Sequence, residues 1–360
     1  MKICYLGDGQ SIHIERWMKY FVEQGHQIIL LTDNPGNPTP IQQIRVGNRR
    51  NYKLIHYYRC IHDIKKILKS FKPDILHAHF ISGYGYWAQW SKFHPLVLTA
   101  WGSDIYIVPH DKFISKILVR RALEQADLVT ADSADLKSAI LNLAPRTKRI
   151  ELISFGVDTS LFKPAVDIEM AKSELKLAGH KVILSNRRLE PLYNLDNIIR
   201  ATSLIKKEFP NIKLIVFGEG SQNEKLLQLS NSLKLQSNIE FRGSVNHPEL
   251  AKYLQATDLY ISVPQSDATS VSLLEAMACE LPMVVSDLPS NREWVEPDIN
   301  GKLVPPDSVD VLARACVELL QDPLNARTMG KKNRQIILTR AEYKSQMQKM
   351  EKLYKEVSGL

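Results

Sequence analysis

The stretch Ser262-Val263-Pro264-Gln265-Ser266-Asp267-Ala268-Thr269-Ser270-Val271-Ser272-Leu273-Leu274-Glu275-Ala276-Met277-Ala278-Cys279-Glu280-Leu281-Pro282-Met283-Val284-Val285-Ser286-Asp287 sets the reading of the whole chain. It begins as the end of an apolar strand, Leu259–Val263, and empties into a polar loop of Asp, Thr and Ser. A run of strong helix formers follows, Val271–Cys279, before a second apolar strand at Met283–Ser286. Strand, loop, helix and strand in that order make a βαβ unit, the connection that a parallel sheet requires.

The same alternation extends in both directions. In the second half, strands are also expected at Val182–Ser185, Lys213–Phe217 and Ile239–Arg242, with helices near Asn197–Phe209, Glu224–Leu233, Pro248–Ala256 and Ser308–Leu320. The first half carries strands at Lys2–Leu6, Gln27–Thr32, Asp74–His77, Leu96–Ala100, Leu128–Ala131 and Ile150–Ile153, and helices near His13–Gln24, Ile61–Phe71, Lys112–Glu124 and Ala134–Leu143. Two such sets predict an α/β protein of two doubly wound, Rossmann-like domains, residues 1–160 and 165–340. The join is expected in Ser154–Ala165, where Gly156 and Pro164 break the periodicity. Open parallel sheets bind ligands beyond the carboxyl ends of their strands, so the active site is expected in a cleft between the domains. From Asn325 the chain reads as helical to its end. Its last stretch, 341–360, is expected to pack back on the first domain through Tyr343, Met347, Met350, Leu353, Tyr354 and Val357, which recur at near-helical spacing.

Composition narrows the function. A chain of 360 residues with 44% hydrophobic and 24% charged residues is globular, not disordered, and 16 glycines without period exclude collagen-like architecture. Cys4, Cys60, Cys279 and Cys316 form no CxxC pair, which argues against a zinc ribbon or disulfide scaffold and fits a reducing cytoplasm. The run Met1–Gly7 is too short for a signal-peptide core, and no segment approaches the roughly 18 apolar residues of a membrane span, so any membrane contact is expected to be peripheral. The net charge is +8, and the stretch from Gln321 to Leu360 holds nine Lys or Arg against four acids. Such a face attracts anionic lipid headgroups, as at the inner side of a membrane, phosphorylated substrates or nucleic acid, or is an ordinary solvated helix surface.

The loop before Val271 is a helix entrance. Unpaired amides and the positive end of the helix dipole favour an anion there, and Glu275 follows about one turn inside. A phosphate beside a carboxylate suits a nucleotide, with the amides of Thr269, Ser270 and Val271 on the diphosphate and Glu275 on the ribose hydroxyls. The plain alternative makes Thr269 or Ser270 a helix cap and Glu275 a surface carboxylate.

This window resembles the donor-binding signature of the retaining glycosyltransferases of family 4, which have the GT-B fold. Asp267 stands at the family's first acidic position, Thr269-Ser270 replace Phe-Gly, Glu275-Ala276-Met277-Ala278 match outright, and Pro282 and Val284-Val285 follow in register. Gly156-Val157-Asp158, Val216-Phe217-Gly218-Glu219-Gly220 and Phe241-Arg242-Gly243 extend the similarity over nearly the whole chain. The resemblance implies transfer of a sugar from a UDP- or GDP-linked donor to an acceptor hydroxyl of a glycan or lipid-linked molecule, with retention. The stretch Asn186-Arg187-Arg188-Leu189-Glu190-Pro191-Leu192-Tyr193 matches the segment that supplies an Arg and a Lys to the leaving diphosphate. Arg188 aligns with the Arg, Tyr193 replaces the Lys, and Arg187 is a candidate for the missing charge. Asp267 is implied at the donor sugar, with a helix cap as its competitor. Gly218 lines the nucleotide pocket or makes a tight turn, and Arg242 and Val245 are candidates for base contacts.

On the acceptor side, Leu6-Gly7-Asp8-Gly9 is a turn whose glycines let a ligand approach the backbone. Ile12 stands where a dinucleotide fingerprint needs glycine, so a nicotinamide cofactor is not expected. His77-Ala78-His79 and Thr99-Ala100-Trp101-Gly102-Ser103-Asp104 resemble the family's acceptor loops, with Trp101 in place of a frequent His. Gly9, His13, His79, Trp101 and Asp104 are the acceptor-side candidates. No Asp-x-Asp pair occurs, so no metal is expected. A nucleotide-sugar 2-epimerase, a nucleic-acid-binding module and a catalytically inactive sugar-nucleotide sensor are the competing readings. No nucleic-acid motif appears, so such a partner is not expected.

Overall fold

The computed structural model describes residues 1–37, 40–47 and 53–360. The chain divides into two compact units, one of Met1–Phe155 with Lys344–Leu360 and one of Gly156–Tyr343.

The first unit is a parallel sheet of seven strands: β1 (Lys2–Leu6), β2 (Gln27–Thr32), β3 (Gln42–Arg45), β4 (Ile75–His79), β5 (Leu96–Thr99), β6 (Leu128–Ala131) and β7 (Ile150–Leu152). Their order is β3-β2-β1-β4-β5-β6-β7, so the winding reverses between β1 and β4, where Ile3 pairs with Ile75 and Leu6 with Ala78. Strands covered on both faces must be apolar throughout, and β4 to β6 are buried at every position. The helix Ile12–Glu23 starts after β1, where the Ser11 hydroxyl accepts the Ile14 amide and Glu15 complements the helix dipole.

The final helix, Tyr343–Ser358, does pack on this first unit, burying Met347, Met350, Leu353 and Tyr354. The Tyr354 hydroxyl lies 3.0 Å from that of Tyr5 and 2.5 Å from Nδ1 of His77, whose Nε2 meets Thr99 Oγ1 at 2.7 Å. The Thr99 hydroxyl in turn lies 2.7 Å from that of Thr130, so a buried chain of polar atoms ties the helix across β1, β4, β5 and β6.

The second unit is a parallel sheet of six strands: β8 (Lys181–Asn186), β9 (Ile212–Phe217), β10 (Ile239–Phe241), β11 (Leu259–Ser262), β12 (Met283–Ser286) and β13 (Lys302–Val304). The order β10-β9-β8-β11-β12-β13 reverses between β8 and β11. Gly156, at φ +73°, lies against Tyr343, and the Val157 amide donates to the Ala341 carbonyl at 2.8 Å while the Tyr343 amide returns to Val157 at 3.0 Å.

Several expected elements change. The helix expected from Ile61 begins at Lys53, and β3, β13 and a short helix at Ile168–Glu174 are additional. The long terminal helix is two, Pro323–Arg340 and Tyr343–Ser358, because Ala341 and Glu342 leave the helical path to pair with Val157. Its basic residues are partly committed to the fold. Arg334 donates to the carbonyls of Phe162 and Ala278, Arg340 stacks on Trp294 at 4.6 Å, and Lys349 donates to the Leu152 carbonyl. Among the described residues no helix is long and apolar enough to cross a membrane.

Candidate functional site

In the second unit, the reversal between β8 and β11 brings two chain segments to the same sheet edge: Arg187-Arg188 beyond β8, and the polar loop beyond β11. Arg187 turns inward and is 8% exposed. Its Nη2 donates to Asp267 Oδ2 at 2.6 Å, and its Nη1 donates to the Ser270 hydroxyl and, at 3.0 Å, to that of Ser272. The Tyr193 ring lies under the guanidinium, 4.4 Å from centroid to Cζ. Burial works against the charge on Arg187, but Asp267, joined by the neighbouring Tyr260 and Tyr193, holds the pKa above its ordinary value. Tyr193, at the position of the family's Lys, thus brings no charge of its own and packs against the one beside it.

Arg188 takes the opposite direction. Its side chain is 74% exposed and its nearest carboxylate is Glu190, at 3.9 Å. Two adjacent arginines therefore do different work: Arg187 braces the loop, and Arg188 presents a guanidinium to solvent at the same sheet edge.

Ser270 caps the helix Val271–Ala278, its hydroxyl accepting the Leu273 amide at 3.3 Å. Thr269 is fixed by the Trp294 indole, 3.3 Å from its hydroxyl. Asp267 is not a helix cap; it is the partner of Arg187, and its carbonyl accepts the Ser290 hydroxyl at 2.9 Å. Glu275 is no surface carboxylate: it is 4% exposed, with Oε1 3.7 Å from His247 Nε2.

The remaining donor-side candidates serve the scaffold. Gly218 has φ +122°, and a Cβ there would stand 2.3 Å from the Arg187 carbonyl, so the close approach it permits is that of the arginine segment. Arg242 pairs with Glu240 at 2.8 Å and stacks on Tyr253, and Val245 packs against the unit's core. Ser272 and His247, which the sequence reading did not single out, join the cluster.

In the first unit, a cavity of about 730 Å³ opens beyond the carboxyl ends of β1, β2, β4 and β5. Its walls include Asp8, Asp33, Tyr57, His79, Tyr84, Trp87 and Trp101. His79 sits in an aromatic nest, 4.9 Å from Trp17 and 6.1 Å from Trp101 between ring centroids. Burial, reinforced by His13, lowers its pKa to about 3, so the ring is neutral at physiological pH. The Tyr84 hydroxyl donates to Asp33 Oδ1 at 2.7 Å, and His56 Nε2 stands 3.3 Å from Asp33 Oδ2.

Of the five acceptor-side candidates, His79 and Trp101 line this cavity and the other three do not. A Cβ on Gly9 would meet the Gly36 amide nitrogen at 2.7 Å, so the glycine admits the chain's own backbone and not a ligand. His13 packs against Phe155 and Trp101. Asp104 is fully buried and accepts the amides of Ile81 and Trp101 at 2.7 and 2.9 Å, tying two turns together. Burial nonetheless raises its pKa to about 6, against the pull of those amides. Asp33, Tyr84 and Trp87 are wall residues the sequence reading passed over. The signal for Asp33 was its place directly after β2.

Two family models match the chain, one in each half. Residues 2–133 match the model of the glycosyl transferase 4-like family, and residues 167–336 match that of glycosyl transferases group 1. The chain is 24% identical to the N-acetyl-alpha-D-glucosaminyl L-malate synthase of Bacillus anthracis, covering 94% of this chain and 91% of that one. It is 26% identical to a GDP-mannose-dependent alpha-(1-6)-phosphatidylinositol monomannoside mannosyltransferase of Mycolicibacterium smegmatis, over 60% of this chain and 59% of that one. The structure of HepE from Anabaena in complex with UDP-glucose shares the fold, with a TM-score of 0.84 at 19% identity, over 99% of this chain and 100% of that one. The mannosyltransferase among these relatives speaks for sugar transfer, and nothing in the comparisons supports the epimerase or sensor readings. With both units matched in order along the chain, the protein belongs to the family 4 glycosyltransferases of GT-B fold.

Proposed function

We propose that the protein moves a hexosyl or related residue from a UDP- or GDP-linked sugar to a hydroxyl of a glycan or lipid-linked acceptor, with retention at the anomeric carbon and without a metal. One observation carries the reading: the exposed Arg188 guanidinium and the entrance of the helix Val271–Ala278 stand beyond the carboxyl ends of two adjacent strands, where the winding reverses. Departure of a nucleoside diphosphate builds negative charge, and cations and amides already aimed at it lower the barrier. In this reading Arg188 and the amides of Thr269, Ser270 and Val271 receive the diphosphate. Arg187 is a positioning residue that holds Asp267 and Ser270. Asp267 accepts a sugar hydroxyl on the oxygen that Arg187 does not occupy, and Glu275 serves the ribose. The cavity of the first unit, walled by Trp101, Trp87 and Asp33, takes the acceptor. Retention follows from front-face departure and return, as the family resemblance implies, with the diphosphate helping to deprotonate the acceptor. The enzyme works on the cytoplasmic side, in peripheral contact with anionic lipid.

Thermal shift against a panel of nucleoside diphosphates and their sugars identifies the donor. Arg188→Ala then lowers turnover by roughly 10²–10³, as loss of one oxyanion donor does, at an unchanged melting temperature. Full turnover in that variant overturns the assignment, and a product of inverted anomeric configuration by NMR overturns retention.

A further inference from the structure

The helix Phe113–Gln125 buries Val119, Ala122 and Leu123 against the first unit and leaves an apolar stripe on its opposite arc. Phe113 is 79% exposed, Ile114 69% and Ile117 41%. Lys116, Arg120 and Arg121 are exposed on the same arc. Isolated apolar residues are normal on a surface, but three together at the start of one helix, bordered by cations, are the pattern of a helix that lies in a lipid interface.

We infer that this arc docks on an anionic bilayer, with Phe113, Ile114 and Ile117 entering the headgroup layer and the basic residues meeting lipid phosphates. Charge chooses this occupant. A second copy joined through the same arc would set cations against cations. The acid within the helix, Glu124, is already held by Arg120 and Arg146, at 2.9 and 3.0 Å. The helix also packs against Ile81–Gly85, which contributes Ser82, Gly83 and Tyr84 to the cavity wall. Docking there holds the cavity close to the bilayer, and this consequence alone rests on the acceptor role proposed above.

The test is co-sedimentation of the full chain with phosphatidylcholine vesicles, with and without phosphatidylglycerol. The parent is expected to bind the anionic vesicles in a salt-sensitive way. Phe113→Ser/Ile114→Ser/Ile117→Ser and, separately, Lys116→Glu/Arg121→Glu are expected to weaken binding at least about tenfold. All five positions are exposed, and an unchanged melting temperature confirms folding. Equal binding to uncharged vesicles overturns the inference, as does binding that survives both variants or yields instead to Lys331→Glu/Lys332→Glu. A parent dimer that the first variant disperses overturns it too. The thermal response to UDP and GDP is expected to be the same in parent and variants. A parent that binds vesicles but no nucleotide sinks the transferase reading and leaves the docking surface standing.

Discussion

Two parallel sheets reverse their winding in the same way and end in opposite chemistry. Beyond β1 and β4 the first unit offers rings, a neutral His79 and the Asp33–Tyr84 pair around an open cavity. Beyond β8 and β11 the second unit offers two arginines, a carboxylate and a helix entrance packed together. The switch point supplies the position in both cases. What differs is the handful of residues directly after each strand. In the first unit a buried chain of neutral groups runs from Tyr5 through Tyr354 and His77 to Thr99. In the second unit charge is paired with charge.

The most damaging break to that contrast is Arg187→Ala. It leaves Asp267 in a desolvated place without its cation, and removing one member of a buried pair typically costs about 3–5 kcal/mol. Calorimetry of the full chain should show a large fall in the melting temperature, much of it restored by Arg187→Ala/Asp267→Ala, because the double variant removes the stranded charge. Parent-like melting of the single variant would mean that the second unit does not depend on paired charge. The same comparison separates the neighbouring arginines, since Arg188 is exposed and its loss should affect turnover alone.

Which of the two arginines turns inward was not legible beforehand, and the reason is physical. After Asn186 the strand pattern ends, and the direction of each side chain depends on the turn that Gly218 accommodates, a contact from a strand neighbour about thirty positions away. Strands buried on both faces were legible from their unbroken apolar runs, as were the helix entrance at Ser270 and the amphipathic terminal helix. β3, Gln42-Gln43-Ile44-Arg45, was not, because an edge strand half exposed to water needs only one apolar residue. The resemblance of its loop to the family's acceptor loops makes Asp104 an acceptor-side candidate, yet its carboxylate is committed to the backbone. Its two backbone amides were invisible until Ile81 and Trp101 were brought beside it.

A smaller effect sharpens the neutral side of the contrast. Tyr354→Phe removes the hydroxyl that meets both Tyr5 and His77, leaving buried polar atoms unmet at a cost of about 1–3 kcal/mol. Thermal unfolding should register that loss, and Tyr5→Phe/Tyr354→Phe should cost less than the sum of the single changes, since one shared bond is counted twice. Strict additivity would show that the two hydroxyls are not coupled.

The effect that is smallest near neutral pH, and grows with acid, is one of titration, and it probes whether the first unit really holds its imidazole neutral. The His79 pKa is lowered to about 3 by burial and by His13, against an ordinary value of 6.5. The unfolded chain takes up this proton as the pH falls below 6.5 and the folded chain does not. Stability from this group is therefore complete above 6.5 and drains away toward pH 3, by about 1 kcal/mol at pH 6 and at a limiting slope of about 1.4 kcal/mol per pH unit. Asp104, raised to about 6, works the other way, because the folded chain is protonated first and gains stability as the pH falls from 6 toward 3.8. The absolute acid limb mixes the two, so the informative measurement is the difference between parent and His79→Gln, followed by thermal unfolding from pH 7 to pH 4.5. The variant should lose less stability on acidification than the parent, whatever its starting value. Parallel curves would mean that His79 titrates alike in both states, and that the cavity wall is wetter and more polar than its ring of aromatic side chains implies.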